Sequence, residues 1–178
     1  MTWKESLREL VAKKDWRTAM EYILQIVNSK EYDDTPDAYL NALYVLEAIP
    51  MQPDVNGFDV VSITAQKEIY DVYIEGKSIF YANADFLFWS GWLATWCEWL
   101  FKMELEEARM QMLNAYNLCP ENKLFALGLI SGIDSNADIA YKECIRTIMS
   151  DNATVSYIRD KGVVGDYMLM IFEGVITE

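Results

Sequence analysis

Four of the six tryptophans stand at Trp89, Trp92, Trp96 and Trp99. Steps of three, four and three residues follow one face of an α-helix. At about 100° per residue the four indoles share a wedge of about 80°. Phe86, Phe88, Leu93, Cys97 and Leu100 widen the stripe. The other face carries Ser90, Gly91, Ala94 and Glu98, small rather than charged. A surface helix would show lysine and glutamate there. This helix is therefore expected to be contacted on both sides, as the central helix of an all-helical domain. The indoles then belong to the core. The competing use of such a stripe is that one or two rings line a binding groove.

Helical spacing recurs along the chain. Trp3, Leu7, Leu10 and Val11 predict a first helix, ended by Lys13-Lys14-Asp15. Trp16, Ala19, Met20, Ile23, Ile26 and Val27 predict a second, ended by Asn28-Ser29-Lys30. After the acidic loop Glu31 to Pro36, Thr35 reads as an N-cap with Pro36 at the first helical position, opening a helix to about Ala48. Pro50, Pro53 and Asn56-Gly57 mark the clearest loop. A fourth helix runs from about Phe58 to Glu75, with Gly76 ending or bending it. Strand propensity in Asp59 to Ile63 competes with its start. Asn83 or Asp85 caps the tryptophan helix, and Glu104 to Asn117 form the next. Shorter helices follow near Lys123–Leu129, Asp138–Met149 and Asn152–Arg159, and a last one runs through Phe172. With 8 glycines and 4 prolines in 178 residues, and no flexible linker, the expectation is one domain over residues 1–178.

Composition narrows the function. The net charge is −13. A phosphate backbone or an anionic membrane surface would repel this chain, whereas a basic protein would be steered toward it. There is no histidine, the commonest general base and metal ligand. Cys97, Cys119 and Cys144 have no metal-ligand spacing, and their odd number fits a reducing compartment. The opening residues lack a signal peptide's apolar core. The most apolar run, Phe86 to Cys97, is too short to span a bilayer. The expectation is a cytoplasmic protein without metal, cofactor, nucleic acid or membrane.

Phosphate-binding glycine loops, metalloprotease, nucleophile-elbow and EF-hand patterns are all missing from the sequence. Adjacent carboxylates such as Glu106/Glu107 diverge by about 100° on a helix and do not converge on a substrate. Glu98 is the odd acid, inside the most aromatic segment. It is read as a core-edge carboxylate with a polar neighbour, the sharper alternative being a buried acid poised for proton transfer. No enzymatic activity is expected.

Part of the chain resembles a tetratricopeptide (TPR) repeat, two antiparallel helices with aromatic and small residues at fixed points. Trp92 and Trp99 fill the aromatic positions of its first helix. Ala108, Met112 and Ala115 fill the small-large-small positions of the second, and Pro120 closes the unit. Thr95 and Trp96 depart from the usual leucine and glycine. Trp3, Leu10, Ala19 and Ile23 echo the same frame without a closing proline. The resemblance implies antiparallel helical hairpins stacked in a right-handed TPR-like array of about nine to ten helices. A looser likeness rests on Phe86 to Trp99, on Glu107-Ala108, on Asn114-Ala115-Tyr116 followed by Pro120-Glu121-Asn122, and on Lys161-Gly162-Val163-Val164-Gly165-Asp166-Tyr167. Together these resemble small acidic helical bacterial proteins, among them immunity proteins of contact-dependent inhibition and other polymorphic toxin systems.

That resemblance implies an immunity protein, binding one-to-one to a basic toxin domain, a nuclease, and blocking its cleft. An acidic surface can mimic the phosphates such a cleft holds. The expected contact residues are Glu31, Asp33, Asp34, Asp37, Asp54, Asp71 and Glu75, with Tyr32 and Tyr73 as aromatic anchors. The alternative is a TPR-type secretion chaperone or adaptor that binds an extended peptide.

Overall fold

Helix signals at the chain start form the elements they predict. Thr2 caps α1 (Trp3–Ala12) with a reciprocal capping box to Glu5, and Asp15 caps α2 (Trp16–Ser29) through Thr18 N. The structure, a computed structural model, describes residues 1–32, 34–51, 58–130 and 135–177. Among these it contains helices and no strand. After α2 come α3 (Asp37–Ala48), α4 (Phe58–Ile79), α5 (Ala84–Ala94), α6 (Glu98–Phe101), α7 (Leu105–Leu118), α8 (Ser135–Met149), α9 (Asn152–Asp160) and α10 (Val163–Thr177). Two 3-10 segments cover Ile49–Met51 and Lys123–Leu129. The all-α expectation of about ten helices holds. No helix among the described residues is long and apolar enough to cross a membrane.

Some boundaries differ. The cap of α3 is Pro36, not Thr35, and it makes no side-chain hydrogen bond. Asp59 to Ile63 is helical, and α4 continues through Gly76 to Ile79. Ten consecutive residues of α3, Ala38 to Glu47, are buried. A helix enclosed on every side lies inside the fold, so α3 shares the centre with α5, in which Phe88 to Ala94 are likewise all buried. α3 touches α2, α4, α5 and α10.

The tryptophan segment is not one helix. α5 stops at Ala94, where Thr95 Oγ1 bonds the Trp92 carbonyl (2.7 Å) and Trp96 N bonds the Leu93 carbonyl (3.1 Å). This tightening to i−3 bonds is a common helix ending. Cys97 leaves the helical region (φ −153°, ψ 55°), α6 is a single turn, and Lys102 closes it in the left-handed region at φ 50°. The break lets Cys97, Leu100 and Phe101 turn inward, with Phe101 edge-on to Tyr73 at 5.5 Å. Trp89 and Trp92 remain buried, but Trp96 and Trp99 are 47% and 59% exposed. Trp99 thus does not occupy the first helix of the TPR frame. Ala108, Met112 and Ala115 of α7 are buried.

α5 and α7 approach closely at Gly91. A Cβ there would lie 2.7 Å from the Ala108 carbonyl oxygen, a backbone atom that cannot swing aside. Gly91→Ala is therefore expected to destabilise the fold by about 1–3 kcal/mol, read as a lower urea midpoint with unchanged slope.

The ends of the array meet. α10 packs on α1, α3, α8 and α9. Arg8 Nε donates to Asp166 Oδ2 at 2.6 Å, and its Nη2 donates to the Arg159 carbonyl at 2.6 Å. In an open helical solenoid each unit touches only its neighbours. Here the last helix closes against the first.

Candidate functional site: an acidic face, an aromatic groove and two buried polar clusters

The expected contact residues divide by position. Glu31 and Asp34 are exposed in the turn between α2 and α3, and Asp71 and Glu75 are exposed one turn apart on α4. Lys30 joins the two elements. As the left-handed C-cap of α2 (φ 59°), it directs Nζ to the Glu75 carboxylate and to the Tyr39 hydroxyl (2.9 Å). The Glu75 bond, then the Tyr39 bond, raises the Lys30 pKa and fixes it as a cation. The turn bearing Glu31 and Asp34 is thereby held beside the α4 turn bearing Asp71 and Glu75. Ile74, also exposed, supplies an apolar contact there.

Three expected residues lie elsewhere in function. Tyr73 is 2% exposed, and its hydroxyl accepts a bond from Gln111 Nε2 (2.7 Å), so it is a core residue and not an anchor. Its phase on α4 points it at Phe86 and Phe101, away from Asp71 and Glu75. Tyr32 is half-buried against Trp3 (5.9 Å between ring centres). Asp37 is committed to Lys4 (2.5 Å) and Lys161 (3.2 Å) with little exposure, which removes it from any contact surface. Asp33 and Asp54 lie outside the described residues.

A groove of about 290 Å³ opens where α5 breaks. Trp92, Met112, Leu127 and Ile130 give it apolar walls. Trp96 and Tyr141 add aromatic ones, and Arg109 of α7 and Asp138 of α8 line it as well. Trp96 stands edge-on to Trp92 at 6.3 Å. Of the stripe, Trp92 and Trp96 thus line this groove, while Trp89 is core.

Two buried polar clusters were not legible as such. In the first, Lys161 is 8% exposed and reaches the carboxylates of Asp37 and Asp85. Tyr157 donates to Asp85 Oδ1 (2.5 Å), and burial followed by that acid pushes the phenol pKa up. Asn41 Nδ2 donates to the carbonyls of Asp37 and Lys161, both at 2.7 Å. Gly162 lies against Asn41 at φ +90°, a left-handed geometry that a side chain would strain. Asp37 and Asp85 open α3 and α5, and Lys161 closes α9. Each charge complements its helix dipole.

The second cluster is Glu47. It is 5% exposed, and its Oε2 has no hydrogen-bond partner among the described residues. Burial raises its pKa to about 8, offset only in part by the Cys97 thiol. Tyr44 and Tyr167, 4.9 Å apart, lie beside it. The buried acid is therefore Glu47 and not Glu98, which is partly exposed. The signal was present: between Asp37 and Glu47 the sequence has no other charged residue.

Among the described residues no group of three or more acids or cysteines is arranged to hold a metal. No family model matches the chain, nor does any curated protein or solved structure.

Proposed function

We propose that this chain is an immunity protein that binds a cognate basic toxin domain, a nuclease, and blocks its active-site cleft. The observation that supports this reading most is the Lys30 tether. It gathers Glu31, Asp34, Asp71 and Glu75 along one edge, with Ile74 exposed among them. A nuclease cleft is positive because it holds phosphates, and clustered carboxylates on a rigid helical frame offer it a competing anionic surface. The whole-chain charge of −13 adds long-range attraction. Binding then proceeds by steering, followed by docking of the α2–α3 turn and the outer face of α4.

The test is association with the toxin domain encoded beside this chain, followed by stopped-flow fluorescence. The association rate is expected to fall at least tenfold between roughly 20 mM and 500 mM salt. Asp34→Lys with Asp71→Lys is expected to slow association a further ~10-fold at low salt with helicity unchanged. A salt-independent rate, or an unaltered double variant, overturns the assignment of this face. The second reading, a secretion chaperone or adaptor for an extended peptide, draws on the groove at Trp96. Tighter binding of unfolded apolar peptides than of any folded basic domain would favour it.

A further inference from the structure

We propose that the groove at Trp96 binds a free α-amino acid with an apolar, preferentially aromatic, side chain. The site is separate from the acidic face and does not depend on the function proposed for it. Trp96 stays nearly half exposed because α5 ends at Ala94, which turns the indole outward while Cys97 turns in. The groove is apolar at Trp92, Met112, Leu127 and Ile130, and aromatic on its flanks at Trp96 and Tyr141. At about 290 Å³ it lies at the bottom of the range for ligand sites, matching a ligand of amino-acid size.

Its charged lining is one cation and one anion on different helices, Arg109 and Asp138. Among the described residues Arg109 is paired only with Glu106, at 3.9 Å; the pair is long and its acid exposed, hence weak, and a ligand carboxylate can displace it. Asp138 is exposed and forms no ion pair with the described residues. A guanidinium suits a carboxylate, and a carboxylate suits an ammonium. An apolar groove carrying both complements a zwitterion with an apolar side chain. A peptide segment has neither charge in its interior and only one at each terminus. A second copy of the chain is disfavoured by the repulsion of two bodies of charge −13.

The probes are L-phenylalanine, phenethylamine, 3-phenylpropionate and N-acetylphenylalaninamide. Each is titrated into the full chain, with binding read by calorimetry and by the Trp96 indole N–H resonance. L-phenylalanine is expected to bind at least tenfold tighter than each of the other three. Arg109→Gln is expected to abolish its advantage over phenethylamine, and Asp138→Asn its advantage over 3-phenylpropionate. Both residues lie at the surface, and unchanged melting temperatures will confirm that the variants are folded. Three results overturn the proposal: no shift of the Trp96 resonance at 10 mM L-phenylalanine, equal affinity for all four probes, or tightest binding by the capped amide. The last would mark the groove as a peptide site.

Discussion

Lys161→Met is expected to lower the stability of the fold by about 3–5 kcal/mol, the usual cost of removing one partner of a buried ion pair. Lys161 Nζ stands between two carboxylates that begin α3 and α5. Without it, among the described residues Asp85 keeps only the Tyr157 hydroxyl and a helix N-terminus, and Asp37 keeps Lys4. For a chain of this length, each kcal/mol lowers the melting temperature by roughly 2–4 °C, so a drop of about 10 °C is expected. The cause is the orphaned charge and not the lost methylenes, which methionine largely replaces. Adding Asp85→Asn to Lys161→Met is therefore expected to recover part of the loss. Additive destabilisation by the second substitution would show that the cluster acts through packing alone.

The second large effect concerns pH. Glu47 has a pKa of about 8 in the folded chain, raised by burial, against 4.5 as the ordinary value. Below about pH 4.5 both folded and unfolded states hold the proton, and the group is neutral in its effect. Between about 4.5 and 8 the unfolded chain releases the proton while the folded chain retains it, so stability falls as pH rises. Above 8 both states are ionised and the loss is complete, at about 5 kcal/mol for a displacement of this size. Glu47→Gln removes the titration, and Glu47→Met also removes the partnerless oxygen. Glu47→Gln is expected to match the wild type near pH 4.5, Glu47→Met to equal or exceed it there, and both to gain on it increasingly up to pH 8. The check is urea unfolding at half-unit pH steps. Parallel wild-type and variant curves across that window would show that Glu47 reaches solvent in the folded state. Tyr44 and Tyr167, both raised mainly by burial, titrate well above it and do not contribute there.

Several features were readable in the sequence because they depend on neighbours along the chain. The α1–α2 hairpin follows from the period of Trp16, Ala19, Met20, Ile23 and Val27, all buried, and from caps at Thr2 and Asp15. The same holds for α7, whose Ala108, Met112 and Ala115 face inward. The acidic edge was legible in its residues but not in its assembly, because Lys30 and Glu75 are 45 positions apart. Tyr73 was misplaced because an amphipathic helix carries acidic and aromatic residues on different faces a residue or two apart. Which face is wet depends on Phe86 and Phe101, far along the chain.

The tryptophan spacing shows the division most clearly. By itself the sequence determined that this chain is all-helical, acidic and rich enough in apolar residues to enclose whole helices. Period, capping and charge are local or additive properties. Only the tertiary structure decided where the indole stripe ends. A continuous helix would satisfy its own backbone, but the break at Thr95 buries Cys97, Leu100 and Phe101 against other elements and leaves Trp96 and Trp99 outside. That choice compares burial at sites brought together from distant parts of the chain. So does the meeting of three helix ends at Lys161, where each charge is tolerated only because its partners arrive from other segments.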